Sequence, residues 1–198
     1  MQALYAIGVN MLPKNKMPEA EVTLRLAISL IEKGKVIGDV VTAIDGAQVK
    51  TGNTIHFPIR EFLDSSGWFK LGERDRWQGK YQKIGHSNHL IIHSNSGEGD
   101  LVATLINGHR LRVESKKGPL VKSTGSKEYP LIREAIGQLM TIAVAKESDI
   151  LAVAVPLSPK FTDLAAQWRE RPLMKLSKIH IVTVGRDGEL QGLESQGI

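Results

Sequence analysis

The sequence contains no cysteine, and aromatic residues make up only 5% of its 198 residues. The absence of cysteine excludes a disulfide framework, a thiolate zinc site and a cysteine nucleophile, and it suits a reducing compartment. No run of about eighteen apolar residues occurs, and the chain starts with neither a basic leader nor a small-residue cleavage site. From these absences we expect a cytoplasmic protein without a membrane-spanning segment.

The residues that are present describe one folded domain. Apolar residues account for 41% of the chain and charged residues for 24%, which is an ordinary globular composition. A chain of 198 residues is long enough to bury a self-sufficient core and too short for two full-sized domains. We therefore predict a single domain over residues 1–198.

Positive charge is concentrated in one segment, residues 109–127. The chain has a formal charge of +5, and this segment alone holds six basic residues against one acid, which equals the net charge of the whole chain. A surface of this sign attracts a polyanion and suits contacts with a phosphate backbone. An ordinary solvated basic edge is the alternative interpretation. The predicted nucleic-acid-binding residues are Arg110, Arg112, Lys117 and Lys122.

The first eighty residues predict a helix followed by a hairpin. Pro18 stands where a helix can begin, the next turn is acidic, and a long apolar run follows. Asp45-Gly46 lies between two apolar segments, which predicts a β-hairpin turn at that dipeptide. A short helix is predicted near residues 58–63, and a polar stretch with two tryptophans follows it. This part of residues 1–80 is open to two interpretations, a DNA-binding insertion or a loop that packs on the body through its tryptophans.

The second half of the chain alternates strands and helices. Its apolar segment at residues 150–155 carries no polar residue, as expected of a strand covered on both faces. A strand, a helix and this apolar strand in succession favour a right-handed βαβ crossover. The predicted class is α/β, with a mixed central sheet flanked by helices. The predicted strands are 81–94, 100–106, 109–116, 150–155 and 178–184, and the predicted helices are 130–145 and 161–168.

The register of the hairpin through Asn107-Gly108 decides whether two acids meet. A two-residue loop places Asp100 opposite Ser115, whereas a three-residue loop with a left-handed glycine places it opposite Glu114. The apolar pattern favours the three-residue loop, because only that register collects the aliphatic residues of both strands on one face. We therefore predict an opposite face that carries Asp100, Glu114 and Lys116.

Two carboxylates that face each other across a strand pair repel unless a cation lies between them. A hard divalent cation with oxygen ligands neutralises such a pair, and we predict Mg²⁺ or Mn²⁺ held by Asp100, Glu114 and Ser115, the residue that follows Glu114. A metal ion in that place can polarise a phosphodiester and activate a water molecule, while Lys116 holds or helps to deprotonate the attacking water. The chemistry that these residues indicate is metal-dependent phosphodiester hydrolysis.

Gly99-Asp100 followed by Glu114-Ser115-Lys116 resembles the motif of the PD-(D/E)xK nucleases, which have the restriction-endonuclease-like fold. The resemblance covers roughly residues 81–185, with glycine in the place of the motif's proline. It implies a nuclease core in that range and an Mg²⁺-dependent deoxyribonuclease that cuts DNA internally. It also implies a supporting polar residue on the helix that follows. The residues concerned are Asp100 and Glu114 as metal ligands, Lys116 as the catalytic lysine, and Gln138 or Glu134 as the helical residue.

Several further side chains have competing interpretations. Glu98 and Glu21 are predicted auxiliary acids, although a turn leading into a strand explains the first and helix-terminus electrostatics explains the second. The close spacing of three histidines suggests a transition-metal site, but that spacing suits a helix and the surrounding residues predict a strand. These three are His86, His89 and His93.

Three functional hypotheses follow from the sequence. The first is the endonuclease itself, either as a homodimer that brings two active sites to a duplex or as a monomer that cuts the two strands in separate visits. The second is a catalytically silent module that binds nucleic acid or a partner protein, in which Glu114 and Lys116 form an ordinary ion pair. The third is a nuclease subunit that acts only inside a multiprotein complex of genome defence, transposition or repair.

Overall fold

The computed structural model describes residues 12–73, 75–95, 97–121, 125 and 127–198, which form a large mixed sheet with helices on both faces. Nine strands make the sheet in the spatial order β13-β12-β11-β9-β8-β2-β7-β6-β5. These strands are β2 Val36–Ala43, β5 Trp68–Leu71, β6 Gly79–Lys83, β7 Leu90–His93, β8 Leu101–Leu105, β9 Arg110–Ser115, β11 Asp149–Pro156, β12 Ile179–Val184 and β13 Leu190–Gln191. Two short pairs lie outside it: β1 Lys16–Met17 with β10 Gly118–Pro119, and β3 Lys50–Thr51 with β4 Thr54–Ile55.

The helices divide between the two faces of the sheet. They are α1 Glu19–Glu32, α2 Gly46–Val49, α3 Ile59–Ser65, α4 Glu128–Met140, α5 Pro159–Arg169 and α6 Pro172–Ser177, and a 3₁₀ turn follows at Glu194–Gln196. The apolar residues of α1 share one core with β8 and β9, and those of α4 and α5 share a second core with β11 and β12. The predicted first helix is confirmed, since α1 begins directly after Pro18. None of the helices within the described ranges has the length and apolar character to cross a membrane.

The hairpin of β8 and β9 has the predicted three-residue register. Leu101 pairs with Val113 and Ala103 pairs with Leu111, which sets Asp100 opposite Glu114. Gly108 adopts a φ of 82°, and its N–H donates to the Leu105 carbonyl oxygen at 2.8 Å. The left-handed glycine therefore closes the loop as the sequence indicated.

The crossover through α4 is confirmed as well. Strand β9 pairs in parallel with β11, and α4 forms the connection between them. Strand β11 then pairs in parallel with β12 across α5. Because β11 has a parallel neighbour on each side and helices over both faces, its apolar side chains are almost all buried.

The hairpin predicted at Asp45-Gly46 is wrong. Asp45 caps the short helix α2, and its Oδ1 accepts a hydrogen bond from the Ala47 N–H at 2.9 Å. Strand β2 instead lies in the middle of the sheet, antiparallel to β8 and parallel to β7. The edges of β2 are occupied by strands distant in sequence, so the aspartate serves as a helix cap and not as a hairpin turn.

The single strand predicted over residues 81–94 is also wrong. The segment folds as the end of β6, a turn and then β7, and these two strands pair antiparallel. Gly85 supplies the break with a φ of 86°. Strands β5, β6 and β7 extend the same sheet that carries β8 and β9, so one sheet runs through both halves of the described chain.

Candidate functional site

The two acids of the predicted site lie at the open end of the β8 and β9 hairpin. Asp100 directly precedes β8, and Glu114 is near the end of β9. The Asp100 N–H donates to the Val113 carbonyl oxygen at 2.8 Å, and the Asp100 carbonyl oxygen accepts from the Ala43 N–H at 2.9 Å. Its carboxylate oxygen Oδ2 accepts the Ser115 N–H at 2.7 Å. Asp100 is thus fixed by the backbone of two neighbouring strands, opposite Glu114.

Gly99 explains why the proline of the resembled motif is missing. Its φ is 124°, and a Cβ added there would lie 2.8 Å from the Val113 carbonyl oxygen. Proline requires a φ near −65°, so it cannot occupy this conformation. Glycine is therefore the residue that lets the chain pass close to β9 and aim Asp100 at Glu114.

The surroundings of both carboxyl groups destabilise their ionised forms. Burial, together with the nearby charge of Glu114, raises the pKa of Asp100 from 3.8 to about 7, although the Ser115 hydrogen bond acts in the opposite direction. Burial also raises the pKa of Glu114, while Lys116 acts in the opposite direction. A pair of this kind lacks positive charge, which a divalent cation would supply.

Lys116 is a buried cation on the same face of β9. The residue is 5% exposed, and its Nζ lies 3.0 Å from Oε1 of Glu134 on α4. Glu134 has a side chain 59% exposed, so the ion pair is open to solvent on one side only. Of the two helical residues predicted to support the site, Glu134 contacts the lysine. Gln138 is exposed one turn further along, and its side-chain amide has no hydrogen bond with a described residue.

A third acid, Glu19, was missed by the sequence reasoning. It is the first residue of α1, and its Oε1 accepts a hydrogen bond from Nε2 of Gln48 at 2.9 Å. Its Oε2 accepts the Lys117 N–H at 3.4 Å, and its charge raises the pKa of both Asp100 and Glu114. The available signal was an acid in the first helical turn, but the sequence does not indicate which strand end lies beside it.

Glu21, the acid predicted from that same turn, forms ion pairs away from the acid pair. It is fully buried, and its Oε1 accepts hydrogen bonds from Nε of Arg25 at 2.7 Å and from Nε of Arg186 at 2.8 Å. Arg186 also donates to two backbone carbonyl oxygens that precede α1. Glu21 therefore ties the start of α1 to the loop after β12 and does not join the pair of acids at β8 and β9.

The side chains of two other predicted residues do not join the acid pair. Glu98 has a side chain 55% exposed and forms an ion pair with Arg110. The hydroxyl of Ser115 is buried on the sheet face opposite Glu114, without a hydrogen-bond partner in the described residues. A contribution of Ser115 to metal binding would have to come from its main chain.

The predicted nucleic-acid-binding residues have different environments. Arg112 is only 3% exposed, and it donates to the carbonyl oxygens of Glu98 at 3.0 Å and Val144 at 2.7 Å. The prediction that Arg112 binds nucleic acid is therefore wrong. Strand alternation correctly places it on the polar face of β9, but α4 and the loop after it cover that face. Arg110 is half-buried and Lys117 is exposed. Lys122 lies outside the described residues.

Replacing Arg112 by glutamine should therefore lower stability and should not act through nucleic acid. The substitution leaves two carbonyl oxygens and the buried Asp149, whose Oδ2 lies 3.7 Å from Arg112, without their cationic partner. We expect the free energy of unfolding to fall by about 3 kcal/mol in urea denaturation. Arg110→Gln is the matched control, with an expected loss below about 1 kcal/mol. Equal losses for both variants would contradict the buried role of Arg112.

The histidines do not form a metal site within the described residues. His89 contacts Oδ1 of Asp39 through Nδ1 at 2.8 Å, and the other carboxylate oxygen of Asp39 lies 3.0 Å from Nζ of Lys80. In the described part of the chain, no three side chains of histidine, aspartate or glutamate are grouped closely enough to hold a metal. The donors at Asp100 and Glu114 suit Mg²⁺, which binds through one or two carboxylates and keeps several waters.

The comparisons with known proteins add no relative. No family model, no curated protein and no solved structure matches the chain.

Proposed function

We propose that the protein is a Mg²⁺-dependent or Mn²⁺-dependent endonuclease that hydrolyses phosphodiester bonds in DNA. One observation supports this proposal above the others. Asp100 lies opposite Glu114 in a confirmed register, and the buried Lys116 projects from the same face of β9 two residues further on. The order of β8, β9, α4 and β11 also suits a restriction-endonuclease-like core.

Each residue of the site has a role in this chemistry. Asp100 and Glu114 would hold the cation, which would polarise the phosphodiester and make water a better nucleophile. Lys116 orients the attacking water and balances the negative charge that develops on the phosphate. Glu134 holds the Lys116 ammonium toward α4 in the absence of substrate. Glu19 adds a third negative charge near the pair, which strengthens the attraction for a cation.

A catalytically silent module that binds nucleic acid or a partner protein is the second candidate. The observation that favours it is the ion pair of Lys116 and Glu134, which neutralises the lysine without any substrate. Membership of a multiprotein complex, a homodimeric state and a cytoplasmic location remain further parts of this proposal. A complex would supply target choice, and a homodimer would supply a second active site.

A cleavage assay tests the proposal directly. Supercoiled plasmid and labelled oligonucleotides are incubated with Mg²⁺ or Mn²⁺, and the variants Asp100→Asn and Glu114→Gln are compared with the original protein. We expect both variants to lose at least about a thousandfold in cleavage rate, because each removes one of two metal ligands. Glu170→Gln, an exposed acid that pairs with Lys175 on the α5 side, is the control that should keep full activity. Cleavage that survives in both site variants would refute the assignment, and salt-sensitive binding without any cleavage would favour the silent module.

A further inference from the structure

A groove lies between α4 on one side and α5 and α6 on the other. Its volume is about 460 Å³, and its apolar surface comes from Ile136, Leu164 and Met174. Tyr129 and Trp168 also line it and pack edge to face, with ring centroids 5.1 Å apart and planes at 81°. The groove thus offers flat aromatic surface next to aliphatic side chains.

The charge of this groove is entirely positive. Arg133 lies with its guanidinium 4.8 Å from the centre of the Tyr129 ring, and Arg171 lines the groove as well. No carboxylate lines the groove, and neither arginine forms an ion pair with a described residue. The residues outside the described ranges include no aspartate or glutamate, so the chain has no further side-chain carboxylate to offer them. Two uncompensated guanidinium groups favour an anionic guest.

The groove and the acid pair lie on the same side of the sheet, on opposite flanks of α4. Tyr129, Arg133 and Ile136 are spaced by four and three residues, which places them on one flank of the helix. Glu134 points to the other flank, where it contacts Lys116. The groove and the acid pair are therefore separated by the width of one helix, about 10 Å, which a few nucleotides of a strand can span.

We propose that this groove binds an unpaired nucleotide of the substrate strand, close to the phosphodiester that is cut. Arg133 already covers one face of Tyr129, so a guest ring stacks on the Trp168 indole or on a guanidinium plane, and Arg171 pairs with the adjacent phosphate. Bases inside a duplex have no free face for such stacking. The aliphatic floor offers no donor or acceptor to a base edge, and Gln167 is the one lining residue with a side-chain amide, so we expect stacking to dominate and base preference to be weak. This inference rests on the proposed nuclease function and deepens it, because it names single-stranded or tailed nucleic acid as the substrate class.

Binding without cleavage tests the groove independently of the active site. Fluorescence anisotropy is measured in EDTA with a short oligothymidylate, a blunt duplex, and the same duplex with a single-stranded tail. We expect the oligothymidylate and the tailed duplex to bind more tightly than the blunt duplex, and to quench tryptophan fluorescence in the original protein. Trp168→Leu should weaken oligothymidylate binding about tenfold. Arg171→Gln should weaken it severalfold and reduce its salt dependence by about one phosphate contact.

Two variants outside the groove serve as matched controls for the binding test. Phe69→Leu removes a ring that is 40% exposed on the far edge strand β5, and Arg60→Gln removes an exposed charge on α3, so both should bind as the original protein does. Circular dichroism confirms folding, and the surface variant Arg171→Gln keeps the test valid if Trp168→Leu is unstable. Three outcomes would overturn the proposal. The blunt duplex could bind as tightly as the tailed one, or both groove variants could bind as the original protein does. The third is groove-dependent binding that is found only with an acidic peptide that has apolar side chains. Groove-dependent binding with cleavage absent, or unchanged in Asp100→Asn, would refute the nuclease alone. Cleavage that requires Asp100, with binding that ignores the groove variants, would refute the groove alone.

Discussion

Replacing Lys116 by methionine is expected to reduce the cleavage rate by about 10²–10⁴-fold while metal binding is retained. Lys116 and Arg112 are the basic residues two positions on either side of Glu114. Because Arg112 is enclosed, Lys116 is the ammonium that stands beside the acid pair among the described residues. Methionine keeps the length of the buried chain and removes the charge, so the fold should persist. Removing that charge also removes the group that orients water against the phosphate.

Single-turnover kinetics and calorimetric titration of Mg²⁺ measure the two effects separately. Lys117→Met is the matched control, because Lys117 is the next residue along the chain and is exposed. We expect this control to weaken DNA binding slightly at low salt and to leave the rate at saturating DNA unchanged. A Lys116→Met protein that cleaves at the original rate would remove Lys116 from the mechanism, and loss of Mg²⁺ binding would indicate a structural role in place of a catalytic one.

The second large effect is expected in the pH dependence of stability. Because burial and Glu114 raise the pKa of Asp100 from 3.8 to about 7, its ionised form is disfavoured in the folded protein by on the order of 4 kcal/mol. Between those two pH values the folded state binds more protons than the unfolded state, so the free energy of unfolding falls as the pH rises from about 4 to about 7. Above about pH 7 the whole penalty is present.

Urea denaturation in EDTA across this pH range measures the effect. Asp100→Asn should abolish most of the decline and be more stable than the original protein at pH 8, whereas the exposed Asp163→Asn should follow the original protein. Mg²⁺ should stabilise the original protein increasingly as the pH rises through about 7, because only the ionised carboxylate binds the cation. A stability profile that Asp100→Asn leaves unaltered would contradict the buried, repelled state of this acid.

Local patterns were sufficient to predict the register on which the site depends. The alternation of aliphatic residues in β8 and β9 and the left-handed Gly108 act over neighbouring residues, so the opposition of Asp100 and Glu114 is visible in the sequence. Helix α1 and the parallel crossover through α4 were predictable for the same reason. The Asp45 prediction failed because a turn-forming dipeptide also caps helices, and its choice depends on which strands flank β2.

Tertiary contacts decided the rest of the site. Glu19 and Glu21 lie in the same helical turn and look equivalent in the sequence, yet Arg186 reaches Glu21 from a loop 165 residues away and Gln48 reaches Glu19. Arg112 and Arg110 alternate alike along β9, but only Arg112 lies under the loop after α4. The sequence by itself therefore determined the strand pair and its two opposed acids, because period and turn geometry are local. The third acid, the partner of Lys116 and the arginine-lined groove depend on packing between distant segments, which only the tertiary structure decides.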